Sequence, residues 1–197
     1  FGQTTYEYNS GTWTPSDPNG ISTADDNINV LTGNAVISSN TIINNINVYP
    51  TGALTVNAGT VLQVNGSLNM ESDNLNYSSL MAEGTIVGAV RYDRHVNGGQ
   101  GAGGGIDLIS TPLVSSQNFG EFAASNGNLR FDPNNPNRKL FGPFDKTTGT
   151  YLTWNSVTDA NKALVPGVGY RAATDDNREL SFTGSVNQGI VIKNIIY

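Results

Sequence analysis

The chain has 197 residues, no cysteine and a formal net charge of -6, and only 13% of its residues are charged, against about a quarter in an average protein. This composition excludes a disulfide framework, a thiolate nucleophile and a cysteine-ligated zinc ion, and the lack of a basic patch argues against nucleic acid as a partner. Asparagine and glycine, with 26 and 23 residues, are poor helix formers, and no apolar run approaches the roughly 18 residues of a membrane helix, so we expect an all-β protein without membrane insertion.

The first part of the chain consists of short alternating segments. We interpret Phe1 to Thr5 either as the remnant of a removed export signal or as the first strand. Between residues 21 and 83, aliphatic pairs at i and i+2, such as Ile28 with Val30, are separated by turns rich in Asn, Gly, Ser and Thr. Because a period of two directs side chains to one face, each pair predicts a short β-strand.

Aliphatic positions in this part recur at a spacing of 18 residues. The recurring sets are Ile28, Ile46, Val64 and Ala82; Val30 and Val48; Val36 and Leu54; and Leu62 and Leu80. A fixed period is typical of stacked coils, so we predict a short parallel β-helix-like solenoid with three strands in each coil. The alternative is an antiparallel meander whose Asn-Gly corners are hairpin turns.

The distribution of charge predicts two modules. All ten basic residues lie at or after Arg91, whereas residues 1–90 contain seven acidic residues and no basic one. Ten basic and nine acidic residues follow, so the two parts carry net charges of -7 and about +1. We therefore predict a β-solenoid module at residues 1–84 and a β-sandwich-like module at residues 85–197, with the boundary near Gly84.

The second module contains longer alternating segments and more aromatic residues. The predicted strands are 85–92, 106–113, 129–131, 151–154, 169–173, 179–183 and 189–196. About seven strands between turns rich in Pro, Gly and Asn are typical of a sandwich. Residues 118–124 predict one helical turn.

The residues that could support catalysis form no recognisable motif. The glycine-rich run at 98–105 lacks the Lys-Ser or Lys-Thr pair of a phosphate loop, so we interpret it as a mobile loop. His95 is the only histidine, and without a Gly-x-Ser-x-Gly motif we interpret it as a surface residue. The carboxylates that could hydrolyse glycosides have no predicted pairing distance; they are Asp107, Glu121, Asp145 and Glu179. We expect a protein that is not an enzyme.

Oxygen-rich clusters suggest one metal, calcium. They lie at residues 25–27, 132–137 and 175–177. The best candidate loop would use Asp132, Asn134, Asn135 and Asn137 as ligands. None of the clusters has the full spacing of a known calcium loop, and Asx-turns also account for them, so we otherwise expect no cofactor.

Four aromatic residues are candidates for ligand binding. Tyr92, Tyr151, Trp154 and Tyr170 could line a platform on which a sugar stacks. The alternative is that they are core and edge residues of the sandwich.

Segments of both modules resemble one group of bacterial proteins. They are residues 11–15, 25–30, 51–60, 90–92, 108–113, 164–170, 180–184 and 188–192. Gly-Thr-Trp-Thr-Pro at 11–15 and Asp-Asp-Asn-Ile-Asn-Val at 25–30 are similar to the opening of secreted β-helix proteins of Bacteroidota. That family includes type IX secretion substrates, surface adhesins and flavobacterial proteins linked to gliding.

The resemblance implies a location and a role. We expect a non-catalytic structural or adhesive protein at the extracellular or outer-membrane surface. Its partners would be the type IX secretion machinery, other outer-membrane proteins or surface polysaccharide. Family members usually continue past the position of Tyr197, so we expect a part of a longer protein.

Two other functions are consistent with the expected fold. A secreted carbohydrate-binding or carbohydrate-processing protein is the main alternative, because β-helices and sandwiches both host sugar-active proteins. Ice binding through a ladder of threonines has less support, because Thr55 and Thr60 do not recur at a fixed step.

Overall fold

The computed structural model of the chain describes residues 2–98, 105–114 and 117–192. The predicted fold class is confirmed: a β-solenoid of about four turns covers residues 5–92, and small antiparallel sheets follow it. The shift in charge predicted a boundary near Gly84, and the chain divides into the compact units Phe1–Asp93 and Arg94–Tyr197. No helix among the described residues is long and apolar enough to cross a membrane.

The first unit is built mainly from parallel strands. Its strands are β1 (Thr5–Asn9), β2 (Thr12–Thr14), β3 (Asn27–Ile37), β4 (Thr41–Ile43), β5 (Asn45–Val56), β6 (Val61–Met70), β7 (Ser79–Ala82) and β8 (Thr85–His95), of which β2 pairs antiparallel with β1. β1 pairs in parallel with β3, β3 with β5, β5 with β6 and β7, and β6 with β4 and β8. Parallel pairing of successive coils is the geometry of a solenoid, so the alternative of an antiparallel meander is wrong.

The predicted 18-residue period holds for one step of the solenoid. Two predicted pairs are in register, Ile28 beside Ile46 and Val30 beside Val48. The next steps of the same column are longer, because Ile46 lies beside Leu68, and Leu68 beside Val90. Each of these steps spans 22 residues. The coil length is therefore variable.

The other predicted columns are wrong. Val36 lies beside Thr55, Leu62 beside Ile86, Val64 beside Ile43 and Ala82 beside Val56. The register shifts between Val30 and Thr32 and again between Gln63 and Ser67, so coils of different length stack on one another. Extra residues at a corner leave the alternation inside each strand intact, so the inner side chains remain inside.

The solenoid core is a stack of aliphatic side chains. One inner column consists of Tyr6, Ile28, Ile46, Leu68 and Val90, none of which is more than 6% exposed. Full burial of an aliphatic side chain contributes about 1.5–3 kcal/mol. Each turn thus adds buried apolar surface to its neighbours.

The N-terminal edge of the solenoid is covered by the chain between β1 and β3. β1 turns into β2 through Ser10 and Gly11, whose φ angles of 48° and 99° fit a two-residue hairpin turn. In the following loop, Asn19 accepts a hydrogen bond from the Ser38 N–H (2.7 Å) and donates one to the Val36 carbonyl (3.0 Å). Because these backbone groups are paired, they offer less of an edge for another strand to join.

Asp26 ties the same segment to β1. Its carboxylate accepts hydrogen bonds from the Thr4 N–H (2.7 Å) and from the N–H and hydroxyl of Thr23 (2.8 and 2.9 Å). Burial is the largest single influence on the pKa of Asp26 and acts upward, but the hydrogen bonds together outweigh it and hold the pKa below its ordinary value. Asp26 therefore stays ionised to a lower pH than an ordinary aspartate, and its hydrogen bonds stabilise the segment between β1 and β3, which we call the N-terminal cap.

The described part of the second unit contains short antiparallel strands and one helix. They are β9 (Asp107–Ile109), β10 (Leu113–Val114), α1 (Phe119–Ser125), β11 (Phe131–Asp132), β12 (Asn135–Lys139), β13 (Phe141–Asp145), β14 (Thr150–Tyr151), β15 (Tyr170–Ala172) and β16 (Glu179–Val186). The order β14-β13-β15-β9 forms one sheet, β11 and β12 form a hairpin, and β10 pairs with β16. The predicted helical turn is confirmed as α1. A capping box between Asn118 and Glu121 starts this helix.

The strands of the second unit were predicted less well than those of the first. The predicted strand at 106–113 is interrupted between β9 and β10, and Pro112 in the interruption has no N–H to donate. Residues 189–192 form no strand, and residues 193–196 lie outside the described residues. The sequence reading missed β12 and β13, because each contains a proline, which is depleted in strands.

Aromatic side chains form the core of the second unit. They are Phe119, Phe122, Phe141, Trp154, Tyr170 and Phe182. Phe141 lies at the centre, with its ring centroid 4.9 Å from Phe122 and 5.0 Å from Tyr170. The Tyr170 hydroxyl accepts a hydrogen bond from the Val165 N–H at 2.8 Å, and burial raises the pKa of this phenol.

Candidate functional site

Two columns of polar side chains run along one outward face of the solenoid, which we call the amide face. It consists of Asn27, Asn29, Asn45, Asn47, Ser67 and Asn69. In one column Asn47 Nδ2 donates to Asn29 Oδ1 (3.0 Å), and Asn69 Nδ2 donates to Asn47 Oδ1 (2.8 Å). The register places Glu7 before this column and Arg91 after it. A ladder of amides thus runs between two opposite charges.

The second column of the amide face is parallel to the first. Asn27 Oδ1 accepts hydrogen bonds from the Asn45 backbone N–H (3.2 Å) and from Asn45 Nδ2 (3.3 Å). Asn45 Oδ1 in turn accepts one from the Ser67 N–H (3.0 Å). A shallow groove of about 370 Å³ lies along the face, lined by its five asparagines and by Thr5.

The chemistry of the amide face is that of paired donors and acceptors. Asn47, in the middle of the ladder, uses one N–H and one carbonyl lone pair inside the ladder, which leaves a second N–H and a second lone pair for another partner. The groups repeat at the strand spacing of about 4.8 Å. Hydroxyl-rich molecules match such a surface, whereas proton transfer needs a titratable group, which the six side chains do not provide.

The spacing of the asparagines was only partly readable from the sequence. Asn27 with Asn45 and Asn29 with Asn47 share the 18-residue step, but the predicted columns contain only aliphatic residues. The step from Asn47 to Asn69 is 22 residues and has no counterpart in the predicted period. Only the register reveals the ladder.

An acidic pair beyond this face was also missed. Burial, followed by the negative charge of Asp93, raises the pKa of Glu71, and the positive charge of Arg91 partly offsets the rise. Asp93 is buried and forms an ion pair with Arg91, whose Nε lies 2.8 Å from the Asp93 carboxylate. Glu71 and Asp93 lie about one coil apart in the sequence, so their spacing alone did not indicate that the two carboxylates interact.

The predicted calcium loop is the turn between β11 and β12. The four residues are Asp132, Asn134, Asn135 and Asn137. Asp132 accepts a hydrogen bond from the Asn134 N–H (2.9 Å), and Asn135 accepts one from the Asn137 N–H (3.2 Å). Arg138 Nη1 lies 3.7 Å from the other oxygen of Asp132. These side chains therefore form Asx-turns and an ion pair within the hairpin, and calcium binding stays a prediction.

The four candidate ligand-binding aromatics are in different environments. Trp154 and Tyr170 are only 6% and 1% exposed and belong to the aromatic core. Tyr151 is half-buried, with the Arg171 guanidinium carbon 5.6 Å from its ring centroid. Tyr92 lies in the first unit and is half-buried. Because a buried ring offers no face to a sugar, the structure does not expose these four residues as one platform.

The carboxylates considered for glycoside hydrolysis have structural partners. Asp107 accepts a hydrogen bond from the Asn97 N–H (2.7 Å), and Glu121 belongs to the capping box of α1. The Thr147 N–H donates to Asp145 and, with Thr148, holds the pKa of Asp145 below its ordinary value. The contacts of Glu121 and Asp145 organise a helix end and a local turn, and the contact of Asp107 joins two residues ten positions apart in the chain.

His95 and the glycine-rich run at 98–105 are the remaining candidates for a catalytic or phosphate-binding site. His95 Nδ1 lies 3.6 Å from Glu179, and its side chain is 13% exposed, so it is more buried than a typical surface residue. Residues 99–104 of the glycine-rich run lie outside the described residues. Within the described part of the chain, no group of three or more His, Cys, Asp or Glu residues could hold a metal ion.

Comparison with known proteins returns no match. The chain matches no protein-family model, no curated protein and no solved structure. The assignment to the β-solenoid fold therefore depends on the strand register and the burial pattern of the chain itself.

Proposed function

We propose that the chain is a non-catalytic structural or adhesive module of a bacterial cell surface, in which the solenoid is a rigid spacer. The observation that carries this proposal is the continuity of the solenoid. Parallel strands, buried aliphatic columns and side-chain amide ladders repeat from one turn to the next. Each turn extends the body by about 4.8 Å and is bonded to its neighbours along its strands.

The composition of the solenoid suits an environment of variable salt. Residues 1–90 contain no basic residue, and amides and hydroxyls make the polar contacts of the outer face. Hydrogen bonds between neutral amides are insensitive to ionic strength, whereas contacts between exposed charges are screened. The module therefore keeps its cohesion where salt concentration changes.

The proposed location rests on the segments that resemble secreted Bacteroidota proteins. They support export by the type IX machinery, a place at the outer-membrane surface and a link to gliding or attachment. The partners would be that machinery, other outer-membrane proteins or surface polysaccharide. Brief protease treatment of intact and lysed cells that produce the protein natively tests this location. Cleavage only after lysis would contradict it.

Limited proteolysis of the native chain tests the spacer. Trypsin has no site before Arg91, so proteinase K is the suitable enzyme. We expect residues 28–82 to resist digestion, because their backbone groups are paired in the sheets. The control variant Ile46→Asp places a charge in the core and should be cleaved within the same segment. Rapid cleavage of the wild-type segment would contradict the proposal.

Carbohydrate binding is the second candidate function, and the groove along the amide face favours it. Amide groups that alternate as donors and acceptors match the hydroxyl groups of a sugar chain. A glycan array with the wild type, Asn47→Ala and the exposed control Asn74→Ala tests this function. Sugar binding lost only in Asn47→Ala would support it, whereas no binding by the wild type would contradict it. Variants of Trp154 or Tyr170 are unsuitable, because both side chains are core residues.

A further inference from the structure

The second unit contains a small pocket beside the β11–β12 hairpin, which we call the guanidinium pocket. Its lining residues are Arg130, Phe131, Asp132, Arg138, Leu140 and Thr153. Its volume is about 280 Å³, near the lower end of the range for small-molecule sites. The space therefore suits one small ring.

Arg130 carries a charge that nothing described in the protein neutralises. Among the described residues it takes part in no ion pair, and its Nη1 atom is buried without a hydrogen-bond partner. A buried guanidinium N–H without an acceptor is unfavourable, because it has lost its water and gained nothing in exchange. Arg130 lines the pocket with a charge and a hydrogen-bonding capacity that the described residues do not use.

Thr153 adds a polarised hydroxyl to the same pocket. Arg171 Nη2 donates a hydrogen bond to Thr153 Oγ1 at 3.0 Å, so the hydroxyl oxygen acts as an acceptor there. The hydroxyl hydrogen remains available as a donor toward the pocket. Arg171 also has no ion-pair partner in the described part of the chain, and its Nε is buried without a hydrogen-bond partner.

The remaining charges of the pocket leave it positive. Arg138 lies 3.7 Å from Asp132, whose carboxylate also accepts the Asn134 N–H, so this acid compensates one of the two lining arginines. The lining thus carries one uncompensated positive charge, and Arg171 behind Thr153 carries another. The chain from Arg91 onward has a net charge of only about +1, so the positive charge of this pocket is a local excess.

We propose that the guanidinium pocket binds the carboxylate of an acidic sugar, a hexuronate unit of a polysaccharide. A guanidinium group donates two parallel hydrogen bonds to a carboxylate, and the Thr153 hydroxyl supplies a further donor. Phe131 and Leu140 provide apolar walls for the C–H face of the sugar ring. This inference rests on the second candidate function, carbohydrate binding, but it places the binding site in the second unit and names an acidic sugar as the ligand. It does not depend on the proposed role of the solenoid as a spacer.

Titration of the full chain with sodium glucuronate, followed by NMR or calorimetry, tests this proposal. We expect saturable binding, with amide shifts at Leu140 and Thr153, and no binding of glucose. Arg138→Gln should weaken glucuronate binding at least about tenfold, because it leaves the Asp132 carboxylate without its counterion and so places an uncompensated negative charge in the lining. The Arg138 side chain is 55% exposed, so its replacement should leave the fold intact. Arg130→Lys keeps the positive charge but loses the planar guanidinium group, which can donate two parallel hydrogen bonds to a carboxylate. It should therefore also weaken glucuronate binding.

Arg178→Gln is the matched control. It removes one positive charge from an exposed position outside the pocket and should leave the affinity unchanged within about twofold. Equal weakening by Arg178→Gln would overturn the assignment to the pocket. Acetate binding as tightly as glucuronate would overturn the sugar ligand, and no saturable binding by the wild type would overturn the site. None of these results affects the proteolysis test of the spacer.

Discussion

The two units of the chain achieve stability in different ways. In the solenoid, residues one coil apart share the same environment, with aliphatic side chains inside and, on the amide face, amide side chains outside. In the second unit, aromatic side chains from α1, β13, β15, β16 and the segment around Trp154 meet in a single cluster. A repeating body distributes its stability over equivalent contacts, whereas a unique core depends on a few large side chains. The following changes test this contrast, in order of decreasing effect.

Removal of the central aromatic side chain should damage the second unit most. Phe141→Ala should lower the free energy of unfolding of this unit by about 3–5 kcal/mol, because it leaves a cavity among stacked rings. Hydrogen exchange followed by NMR measures the effect separately for each unit. If Phe141→Ala also lowered the protection of amides in β3 and β5 of the first unit to the same extent, the two cores would not be independent.

Removal of the buried carboxylate should weaken the N-terminal cap of the solenoid. Asp26→Ala leaves the N–H groups of Thr4 and Thr23 without their acceptor, at a cost of about 2–4 kcal/mol. The folded pKa of Asp26 lies below its ordinary value, so its stabilisation is present above the ordinary pKa and is lost as pH falls through the folded pKa. Thermal unfolding between pH 2 and 7 measures this loss, which the variant should lack.

One amide of the ladder should matter less than the cap. Asn47→Ala breaks the side-chain hydrogen bonds to Asn29 and Asn69 and should cost about 1–2 kcal/mol. The exposed Asn74→Ala should change stability by less than about 0.5 kcal/mol. Denaturant unfolding compares the two. Equal effects would show that the ladder adds nothing to the backbone pairing.

The smallest expected effect is a gain in stability. The folded pKa of Glu71 is raised, so its favourable contribution is complete below the unfolded pKa and is lost as pH rises through the folded pKa. At pH 7 the ionised Glu71 is disfavoured by burial and by Asp93. Glu71→Gln should therefore stabilise the solenoid at pH 7, by less than about 1 kcal/mol, and have little effect near pH 3. A loss of stability at pH 7 would contradict this interpretation.

The sequence predicted the solenoid because its signal is local. Alternation of Ile28 with Val30 or Leu54 with Val56 directs these side chains inward whatever strand lies beside them. The coil length was predicted incorrectly beyond the first 18-residue step, because corners and bulges add residues without changing that alternation. Local patterns thus identified most strands of the first unit but not the partners of each strand.

The candidate sites were less predictable than the fold. The turn at 132–137 was readable from its Asp, Asn and Pro residues, but the position of Arg138 beside Asp132 was not. Trp154 and Tyr170 could be core or surface residues by sequence alone, and only their contacts with Phe141 place them inside. A site combines residues that are distant in the chain, so its geometry follows from packing.

The sequence by itself determined the all-β class, the inward and outward alternation of the strands, the cap of α1 and the separation of charge at Arg91. These properties depend on neighbouring residues or on composition, which act before any long-range contact forms. Only the tertiary structure decided the register that aligns Asn29, Asn47 and Asn69, and the placement of Arg130 without a counterion among the described residues. Both depend on contacts between coils or strands, whose spacing the irregular corners and turns of the chain conceal.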